Sequence, residues 1–492
     1  MRNRLTPATP LRGAGYDRRL GTFDAIMVVV GAVVGAGIFL NPAIVAQRVG
    51  TSALVLAAWA LGGAIAVVGA LCFAELGARL PRAGGGYVYL RDAFGPLPAF
   101  LYGWTQLLVI NTGGIAAVAI TFASYAVDVA GAGDALVKPL AVAAIVFLSA
   151  VNAAGVRFGA WVQNTFTLLK LAALALLVAA GVWLLLGGGA GAAQAGAVAG
   201  AVGRAPPAGA TSPAAMVLAM GTALVAVLFA YGGWQHANNI AEEIRDPERR
   251  LPLALLVGVG IVVAVYLSAN AAYLVALGPQ GLAASTAPAA DVLRAAAGRW
   301  GGVAIAVGVA CSTFGILNVF VMAVPRVYQA MAADGVFFAS VARLDPRTRT
   351  PTVGIWIQMA WAVVLVLSGT YGQLLDWVVF GDWIFFGAIA ATLFAYRARD
   401  AASANPAGSV TPAGSVTPAN SATPAGAGAS APSGTFRAPW HPLLPGLFVA
   451  AAAFVVVSSV VSNPRNALYG TLLIAAGVPA YLGWARLRRR EG

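Results

Sequence analysis

Long apolar stretches recur along the whole chain, and this feature limits the fold more than any other. A stretch of 18 or more apolar residues matches the length that a helix needs to cross the hydrocarbon of a bilayer. Backbone amides and carbonyls find no water there, so such stretches must form helices. Only 10% of the 492 residues are charged, against about 25% in a typical soluble protein. The sequence therefore predicts an all-α polytopic membrane protein.

The hydropathy pattern predicts twelve transmembrane helices, called spans 1 to 12. They cover residues 22–47, 51–78, 97–127, 139–155, 160–187, 214–241, 252–277, 301–325, 352–369, 374–396, 443–462 and 467–485. Most Lys and Arg residues fall on one side of the membrane when the N-terminus is cytoplasmic. Because positively charged loops stay in the cytoplasm, we expect a cell inner (plasma) membrane protein with both termini cytoplasmic. The net charge of +13 sits at span ends, which argues against a nucleic-acid partner.

The chain divides into two halves of five spans and a two-span appendix. Each half opens with a span that glycines interrupt. Five is an odd number, so the second half enters the membrane from the opposite side, which predicts an inverted repeat. The predicted regions are a cytoplasmic N-terminal arm (1–21), a first repeat (22–187), an external loop (188–213), a second repeat (214–397), a low-complexity cytoplasmic linker (398–440), and spans 11 and 12 with a basic tail (441–492).

The stretch VVGAVVGAGIFLNPA, from Val29 to Ala43, combines an apolar span with a backbone that glycine leaves unprotected. Helix propensity is poor around Gly35, Ala36 and Gly37, and a broken helix is tolerated in a membrane only beside protein or a water-filled cavity. A break would direct free amides, beginning at Ile38, toward the gap, and such amides attract carboxylates. Taken alone, the stretch favours the close packing of two helices through small residues, because glycine is common in membrane helices.

A second interrupted span favours the broken helix. The sequence FAYGGW, from Phe229 to Trp234, places two adjacent glycines between aromatic residues in the middle of span 6. A break there exposes carbonyls, which suit a cation such as an α-ammonium group. Two interrupted spans in corresponding positions of two halves indicate the central site of a transporter. An amide end for an anion and a carbonyl end for a cation together suit a zwitterionic amino acid.

These two stretches and three others resemble the APC (amino acid–polyamine–organocation) superfamily, and within it the L-type amino acid transporter-like permeases. The similar stretches are VGAVVGAGIFLNPA, FAYGGWQHANNIAEEIRDPERRLP, AELGARLPRAGGGYVYLRDAFG, PRVYQAMAADGVFFASVARLDPRTRTP and FGDWIFFGAIAATLFAYR. They run through spans 1 to 10. The resemblance implies the leucine-transporter-like fold, a five-plus-five inverted repeat with broken helices 1 and 6. It also implies alternating access and amino acids as cargo.

The resemblance implies roles for individual residues. The α-carboxylate would bind the amides of 35–37, and the α-amino group would bind the carbonyls of Phe229, Ala230 and Gly232. Phe229 would also cover the substrate as an external gate, and Phe380 is a further candidate for the pocket lining. The predicted substrate-binding residues are Val33, Gly35, Ala36, Gly37, Ile38, Phe229, Ala230, Gly232, Trp234 and Asn318.

Lys170 is the one Lys or Arg deep inside a predicted span, where an uncompensated ammonium group is costly. In the superfamily, a Lys of span 5 reaches the place where sodium-coupled relatives hold Na⁺. The resemblance therefore implies that Lys170 lies near the carbonyls of Gly31 and Val34 and the hydroxyls of Ser312 and Thr313. Its role as a proton carrier or as a fixed strut between helices stays open. In either role its charge disfavours a sodium ion.

Five acidic residues are candidates for gating. Asp24 and Glu75, near the cytoplasmic ends of spans 1 and 2, are interpreted as partners of loop arginines in an internal gate. Asp382, in span 10, either lies near the external side of the substrate path or pairs locally with a hydroxyl. Glu242 and Glu243 are interpreted as a solvated helix end that could join the internal gate.

The sequence thus predicts a secondary active transporter of neutral or hydrophobic amino acids, because the predicted pocket is largely apolar. Coupling is by proton symport or amino acid exchange, and not by sodium. The alternative is a cationic amino acid or polyamine carrier, with Asp382 as its acidic pocket residue. An integral-membrane enzyme is a remote alternative, since the chain has only two His residues, far apart in sequence.

The predicted partners are the amino acid substrate, the lipid bilayer and, for symport, protons. No catalytic residue, metal or cofactor is predicted. A disulfide-linked heavy chain is not expected, because no Cys follows span 3 in the external segment 126–138.

Overall fold

The computed structural model describes residues 15–187, 212–368, 371–404, 435–462 and 464–491. Regular structure in these residues is helical, apart from one isolated parallel bridge between Leu20 and Ile244. Eight of the described helices are long and apolar enough to cross a membrane, or nine if a bent pair at the start counts as one span. An all-helical chain rich in membrane-spanning segments is confirmed, and the number of twelve spans stays a prediction.

Eight α-helices lie in the region of the predicted spans 1 to 5, and one of them, α4, falls between spans 2 and 3. They are α1 (Thr22–Val33), α2 (Gly37–Val49), α3 (Ser52–Arg79), α4 (Gly86–Phe94), α5 (Pro96–Thr105), α6 (Asn111–Ala130), α7 (Val137–Ala153) and α8 (Val156–Leu185). One turn of π-helix at Gln106–Ile110 joins α5 to α6, and a 3₁₀ turn at Asp134–Leu136 precedes α7. The axes of α1 and α2 differ by 42°, so the bend falls on the predicted glycines.

Ten α-helices follow. They are α9 (Pro213–Ala230), α10 (His236–Asn239), α11 (Pro247–Ala284), α12 (Pro288–Ala323), α13 (Pro325–Ala333), α14 (Thr352–Ser368), α15 (Tyr371–Ala404), α16 (Leu443–Ser462), α17 (Pro464–Ala475) and α18 (Gly477–Glu491). Short 3₁₀ turns lie at Ala241–Glu243 and Ala339–Ala342. α11 is kinked at Gly278 and α12 at Ala297 and Gly298, where the backbone leaves helical geometry.

Small residues allow the helices to pack closely. A Cβ atom on Gly181 of α8 would lie 2.4 Å from the Cβ of Ala272 in α11, so no larger residue fits there. Because lipid is as apolar as leucine, helix association in membranes depends on such close contacts. Large apolar side chains are left on the outside, as Trp161 (70% exposed) and Leu186 (78% exposed) illustrate.

The helix that carries the predicted span 10 is longer than predicted. The sequence places its end near residue 396, but α15 continues to Ala404. Arg399 donates to the backbone oxygen of Asp92 at 3.0 Å, and Asp400 accepts from Arg79 at 2.7 Å. These contacts stabilise a hydrophilic helix end that hydropathy does not reveal. Residues 1–14 of the predicted arm, 188–211 of the predicted external loop and 405–434 of the predicted linker lie outside the described residues.

Candidate functional site

The first break separates α1 from α2 at Val34, Gly35 and Ala36. Val34 has an extended backbone (φ −73°, ψ 99°), which ends α1. α2 begins at Gly37, so its first amides have no partner inside the helix. Ala36 and Gly37 are half-buried, whereas Val34 and Ile38 are buried. The accessible part of the break is therefore the amide end of α2, which favours an anion.

The second break follows α9 and covers residues 231–235. Gly233 has a φ of +123°, a conformation that suits glycine, and its N–H donates to Gln235 Oε1 at 3.0 Å. Gly232 is half-buried and Phe229 is 41% exposed, whereas Ala230 is buried. The Phe229 carbonyl accepts from the Gly232 N–H at 3.2 Å. The last carbonyls of α9, those of Phe229 and Ala230, therefore lie at this break.

The two breaks touch each other. A Cβ on Gly37 would lie 2.9 Å from the Cβ of Ala230, and a Cβ on Gly233 would lie 2.5 Å from the carbonyl oxygen of Ala32. Neither position has room for a side chain. Both interpretations of these glycines therefore apply, because the residues that break the helices also let the broken helices meet.

Tyr266 of α11 joins the two breaks. Its hydroxyl lies 3.0 Å from the oxygen of Val33 and 3.2 Å from the oxygen of Ala230, the last residues of α1 and α9. Its ring packs against Trp59 and Tyr231, with centroids 5.5 and 5.0 Å away. The sequence analysis missed Tyr266. The available signal is a tyrosine in the middle of span 7, since a buried tyrosine hydroxyl needs a partner.

These groups give the site two chemically different ends. The amides at the start of α2 complement a carboxylate, and the carbonyls of Val33, Phe229 and Ala230 complement an ammonium group. The arrangement can therefore bind and orient a small zwitterion.

Lys170 of α8 is buried and donates to two carbonyls of the first break. Its Nζ lies 2.9 Å from the oxygen of Gly31 and 2.9 Å from the oxygen of Val34. Ser312 of α12 donates to the same Val34 oxygen at 3.2 Å. These positions agree with the expected neighbourhood of Lys170. The Thr313 hydroxyl lies 2.9 and 3.0 Å from the Val309 and Ala310 carbonyls of its own helix, and one of these accepts its single hydrogen.

Two further polar residues share the face of α8 that carries Lys170. Gln163 Nε2 donates to Thr167 Oγ1 at 3.0 Å, and Thr167 Oγ1 donates to the Met27 oxygen of α1 at 3.2 Å. Both side chains are buried. The sequence analysis missed them, although residues 163, 167 and 170 recur at the spacing of one helix face. Gln163, Thr167 and Lys170 therefore form a polar stripe on α8 that packs against α1 and the first break.

Asn318 turns its hydrogen-bonding groups toward α7 and α8 rather than toward the breaks. It donates to the Gly159 oxygen at 3.0 Å and to Gln163 Oε1 at 3.1 Å, and it accepts from Asn152 Nδ2 at 2.8 Å. A buried amide must find such partners. In this structure Asn318 therefore joins helices.

Two predicted pocket aromatics also serve helix packing. Trp234 is 1% exposed, and its ring centroid lies 6.4 Å from that of Phe73 in α3 and 5.8 Å from that of Phe386 in α15. Phe380 is 5% exposed and faces Gly470 of α17, where a Cβ would lie 2.9 Å from its ring. Both rings fill space between helices in this structure.

Asp24 caps α1 and forms no ion pair with an arginine among the described residues. Its Oδ2 accepts from the Gly21 N–H at 2.8 Å, and its Oδ1 accepts from Asn164 Nδ2 at 2.7 Å. These contacts engage both carboxylate oxygens and satisfy an amide beside the first turn. In the described part of the chain Asp24 therefore acts as a cap, and its role in an internal gate stays a prediction.

Asp382 of α15 is half-buried, and its Oδ1 has no hydrogen-bond partner among the described residues. The preceding Gly381 packs against Thr105 and Ile110, next to the π-turn between α5 and α6. One expectation for Asp382 is a local hydrogen bond to a hydroxyl. Within the described part of the chain, Oδ1 does not form such a bond.

Glu75 forms ion pairs with Arg79 of α3 and Arg397 of α15, arginines that the sequence analysis assigns to loops. Arg397 of α15 donates to both carboxylate oxygens at 2.8 Å. Arg79 lies 3.4 Å from Oε1, and the Ala438 N–H donates to Oε2 at 2.8 Å. Arg79 also pairs with Asp400 at 2.7 Å. This cluster fastens the end of α3 to the end of α15 and to the segment before α16.

Glu243 is not part of a solvated helix end. Arg326 of α13 donates to its Oε1 at 2.7 Å, and the two side chains are 2% and 1% exposed. The ring of Tyr16 covers the Arg326 guanidinium at 5.6 Å. Glu242 Oε2 accepts from the Ala83 N–H at 3.2 Å. The interpretation as a solvated end is wrong, because the segments before α1 and before α4 cover these carboxylates.

Glu243→Gln is expected to lower the free energy of unfolding by about 3 kcal/mol, because it leaves the buried Arg326 guanidinium without its counter-charge. Asp246→Asn is the matched control. The Asp246 side chain is 68% exposed in its pair with Arg250, and such surface pairs contribute about 0–1 kcal/mol. Thermal unfolding of the purified protein in detergent compares the two. An unchanged unfolding midpoint for Glu243→Gln would contradict the expected result.

Comparisons with known proteins agree with a permease. Residues 20–482 match the sequence profile of a family described as Amino acid permease. The serine/threonine exchanger SteT of Bacillus subtilis is 29% identical over 475 residues, which cover 95% of this chain and 97% of that protein. The b(0,+)-type amino acid transporter 1 of Mus musculus is 32% identical over 390 residues, 78% of this chain and 76% of that protein. The large neutral amino acids transporter small subunit 2 of Homo sapiens is 31% identical over 396 residues, 77% of this chain and 70% of that protein.

The matched region contains both breaks, Lys170 and Glu75. The family and these relatives are transporters, so the chain is a permease and not an enzyme. The chain belongs to the amino acid permease family of the APC superfamily.

Proposed function

We propose that the protein is a secondary transporter that moves neutral amino acids by alternating access around the two helix breaks. The observation that carries this proposal is the contact between the breaks, with the amide end of α2 beside the carbonyl-rich turn after α9. The substrate carboxylate binds the amides of Gly35, Ala36 and Gly37. Its ammonium group binds the carbonyls of Phe229 and Ala230. Half-helix termini at a shared central site are typical of such transporters.

The finer architecture is part of the proposal. Spans 1 to 5 and 6 to 10 form two inverted repeats, and α16 to α18 form the appendix. The position of one break near the start of each half supports this arrangement. Both termini are cytoplasmic, which places the Glu75 and Glu243 clusters at the inner end of the bundle.

Neutral cargo is supported by the apolar residues around the breaks, which include Val33, Ile38 and Phe229. The name of the Bacillus subtilis relative, a serine/threonine exchanger, points in the same direction. Phe229 is 41% exposed and covers the bound substrate.

The chain works without a disulfide-linked heavy chain. The support for this part of the proposal is that no Cys follows span 3 in the external segment 126–138.

Coupling is to protons or to a second amino acid, and not to sodium. The ammonium group of Lys170 already donates to the Gly31 and Val34 oxygens that a sodium ion would need. A cation at the same place would be repelled by the like charge.

The test is uptake of a labelled amino acid panel into proteoliposomes. One set receives an inward proton gradient, and a second set is preloaded with unlabelled amino acid. Accumulation driven by the gradient alone identifies proton symport, and uptake that needs preloading identifies exchange. If folded protein takes up no labelled amino acid in either set, the proposal that amino acids are the substrates of this chain is overturned.

Tyr266→Phe is expected to raise the KM for uptake about 2- to 10-fold, because it removes one hydrogen bond between the breaks, worth about 0.5–1.5 kcal/mol. Tyr396→Phe is the matched control. Its hydroxyl donates to the Tyr89 oxygen of α4 at 3.0 Å, so this hydrogen bond joins α15 to α4 and involves neither break. An unchanged KM for Tyr266→Phe, or an equal rise in the control, would show that Tyr266 does not position the site.

A cationic cargo is the second candidate, and Asp382 is the observation that favours it. Its Oδ1 is buried without a hydrogen-bond partner among the described residues, so it could receive a cationic side chain. Under this alternative, Asp382→Asn abolishes uptake of arginine or lysine and spares alanine. Unchanged arginine uptake by this variant would remove the alternative.

A further inference from the structure

A cavity of about 540 Å³ lies where α15 ends and α16 is about to begin. Phe394, Ala398 and Ala401 form its apolar wall, and its polar edge consists of Arg397, Asp400, Arg437 and His441. The amino acid site described above uses none of these residues. The cavity therefore needs its own explanation.

The charges around this cavity are unbalanced among the described residues. Arg79, Arg397 and Arg437 face only the carboxylates Glu75 and Asp400, so one positive charge remains over. Arg437 carries most of this surplus, because its Nη2 lies 3.5 Å from Asp400 and its side chain is 52% exposed. A nearby anion would compensate this charge.

His441 adds a neutral polar group to the same edge. Its ring packs on Phe394 with the centroids 5.5 Å apart. Its Nε2 is buried and has no hydrogen-bond partner among the described residues. Buried polar atoms are normally partnered, so this nitrogen is available to a ligand.

Two exposed apolar residues next to the cavity are of the kind found at a membrane surface. Trp440 is 75% exposed and Leu443 is 68% exposed, directly before and at the start of the apolar helix α16. Exposed tryptophans next to apolar spans are typical of the depth of the lipid headgroups. A soluble anion needs no apolar wall, whereas a lipid brings an apolar part together with its phosphate.

We propose that this cavity binds the headgroup of an anionic phospholipid, with the phosphate at Arg437 and His441 and the glycerol and first acyl carbons against Phe394 and Ala398. Basic pockets between transmembrane helices are suited to such headgroups. Arginine binds phosphate through charge-assisted hydrogen bonds. The bound phosphate also lies beside the ion pairs that fasten α3 to α15, so the lipid stabilises this end of the bundle. The proposal does not depend on which substrate the protein transports.

The test uses the full chain, purified in a neutral detergent. Thermal unfolding and native mass spectrometry are recorded with phosphatidylglycerol, phosphatidylcholine, glycerol 3-phosphate or inorganic phosphate. Phosphatidylglycerol is expected to be retained and to raise the unfolding midpoint, and the other three are not. Equal effects of phosphatidylcholine would overturn the anionic specificity, and equal effects of the soluble phosphates would overturn the lipid as occupant.

Two variants locate the site. Arg437→Gln is expected to weaken phosphatidylglycerol binding about 10-fold, the loss of one charge-assisted hydrogen bond. Its unfolding midpoint without lipid stays at the wild-type value, because the side chain is exposed. Arg399→Gln is the matched control. Arg399 lies near the end of α15, close to the cavity in sequence, but it donates to the backbone oxygen of Asp92 and does not line the cavity. Equal losses in both variants, or no loss in Arg437→Gln, would overturn the cavity as the binding site.

Discussion

Gly233→Ala is expected to reduce amino acid uptake to below about 1% of wild type. Alanine in the backbone conformation of Gly233, with φ +123°, costs about 1–3 kcal/mol. Its Cβ would also lie 2.5 Å from the oxygen and 2.7 Å from the carbon of the Ala32 carbonyl, backbone atoms that cannot rotate away. The breaks must then separate. A combined cost of about 3 kcal/mol corresponds to a factor of ~100 in rate.

Gly260→Ala is the control for this substitution. Gly260 lies inside α11, and a Cβ placed there meets nothing within 4 Å. Alanine also has the better helix propensity, so this variant retains uptake. Size-exclusion chromatography establishes that both variants are folded before uptake is compared. Uptake by Gly233→Ala near that of Gly260→Ala would mean that transport does not require contact between the breaks.

Lys170→Ala is expected to reduce uptake about 100-fold. The substitution leaves the Gly31 and Val34 oxygens without the ammonium donor that lies 2.9 Å from each. Hydrogen bonds to charged groups contribute about 1.5–3 kcal/mol each, so the first break loses its fixed geometry. Lys138→Ala, at an exposed position in the first turn of α7, is the control and retains uptake. Wild-type uptake by Lys170→Ala would exclude both roles considered for this residue.

The same variant separates the two roles. A strut fixes the break in every mode of transport, so its loss reduces proton-driven accumulation and exchange alike. A proton carrier is needed only for the proton-driven mode, so exchange between preloaded liposomes survives its loss. Sodium provides a further readout. Removing the like charge leaves carbonyl and hydroxyl oxygens that can receive Na⁺, and residual uptake then rises when choline is replaced by sodium.

Hydropathy and glycine placement predict the parts of the fold that depend on chain chemistry alone. Apolar length locates the helices, and adjacent small residues locate both breaks, since the bend of 42° falls between Val33 and Gly37. The neighbourhood of Lys170 also agrees with expectation, but that inference depends on resemblance and not on periodicity. The position where α15 ends could not be predicted from hydropathy, because ion pairs with α3 stabilise its last turns.

The direction of individual side chains is harder to predict. Asn318 and Trp234 lie in helices or turns that are apolar on nearly every side, so no polar face shows which way a residue points. The structure turns Asn318 to Asn152 and Gln163, and it packs Trp234 against Phe73. Tyr266 is a related case: a tyrosine in the middle of a span indicates that its hydroxyl has a partner, but not that the partners are two carbonyls in distant segments.

The Tyr266 hydroxyl has a consequence for ligand recognition that follows from counting protons. It faces two carbonyl oxygens, those of Val33 and Ala230, but a hydroxyl has a single hydrogen to give. At any moment one of the two oxygens lacks that donor. Under the proposed function, the ammonium group of an amino acid brings three donors, so the bound substrate would donate to both oxygens at once.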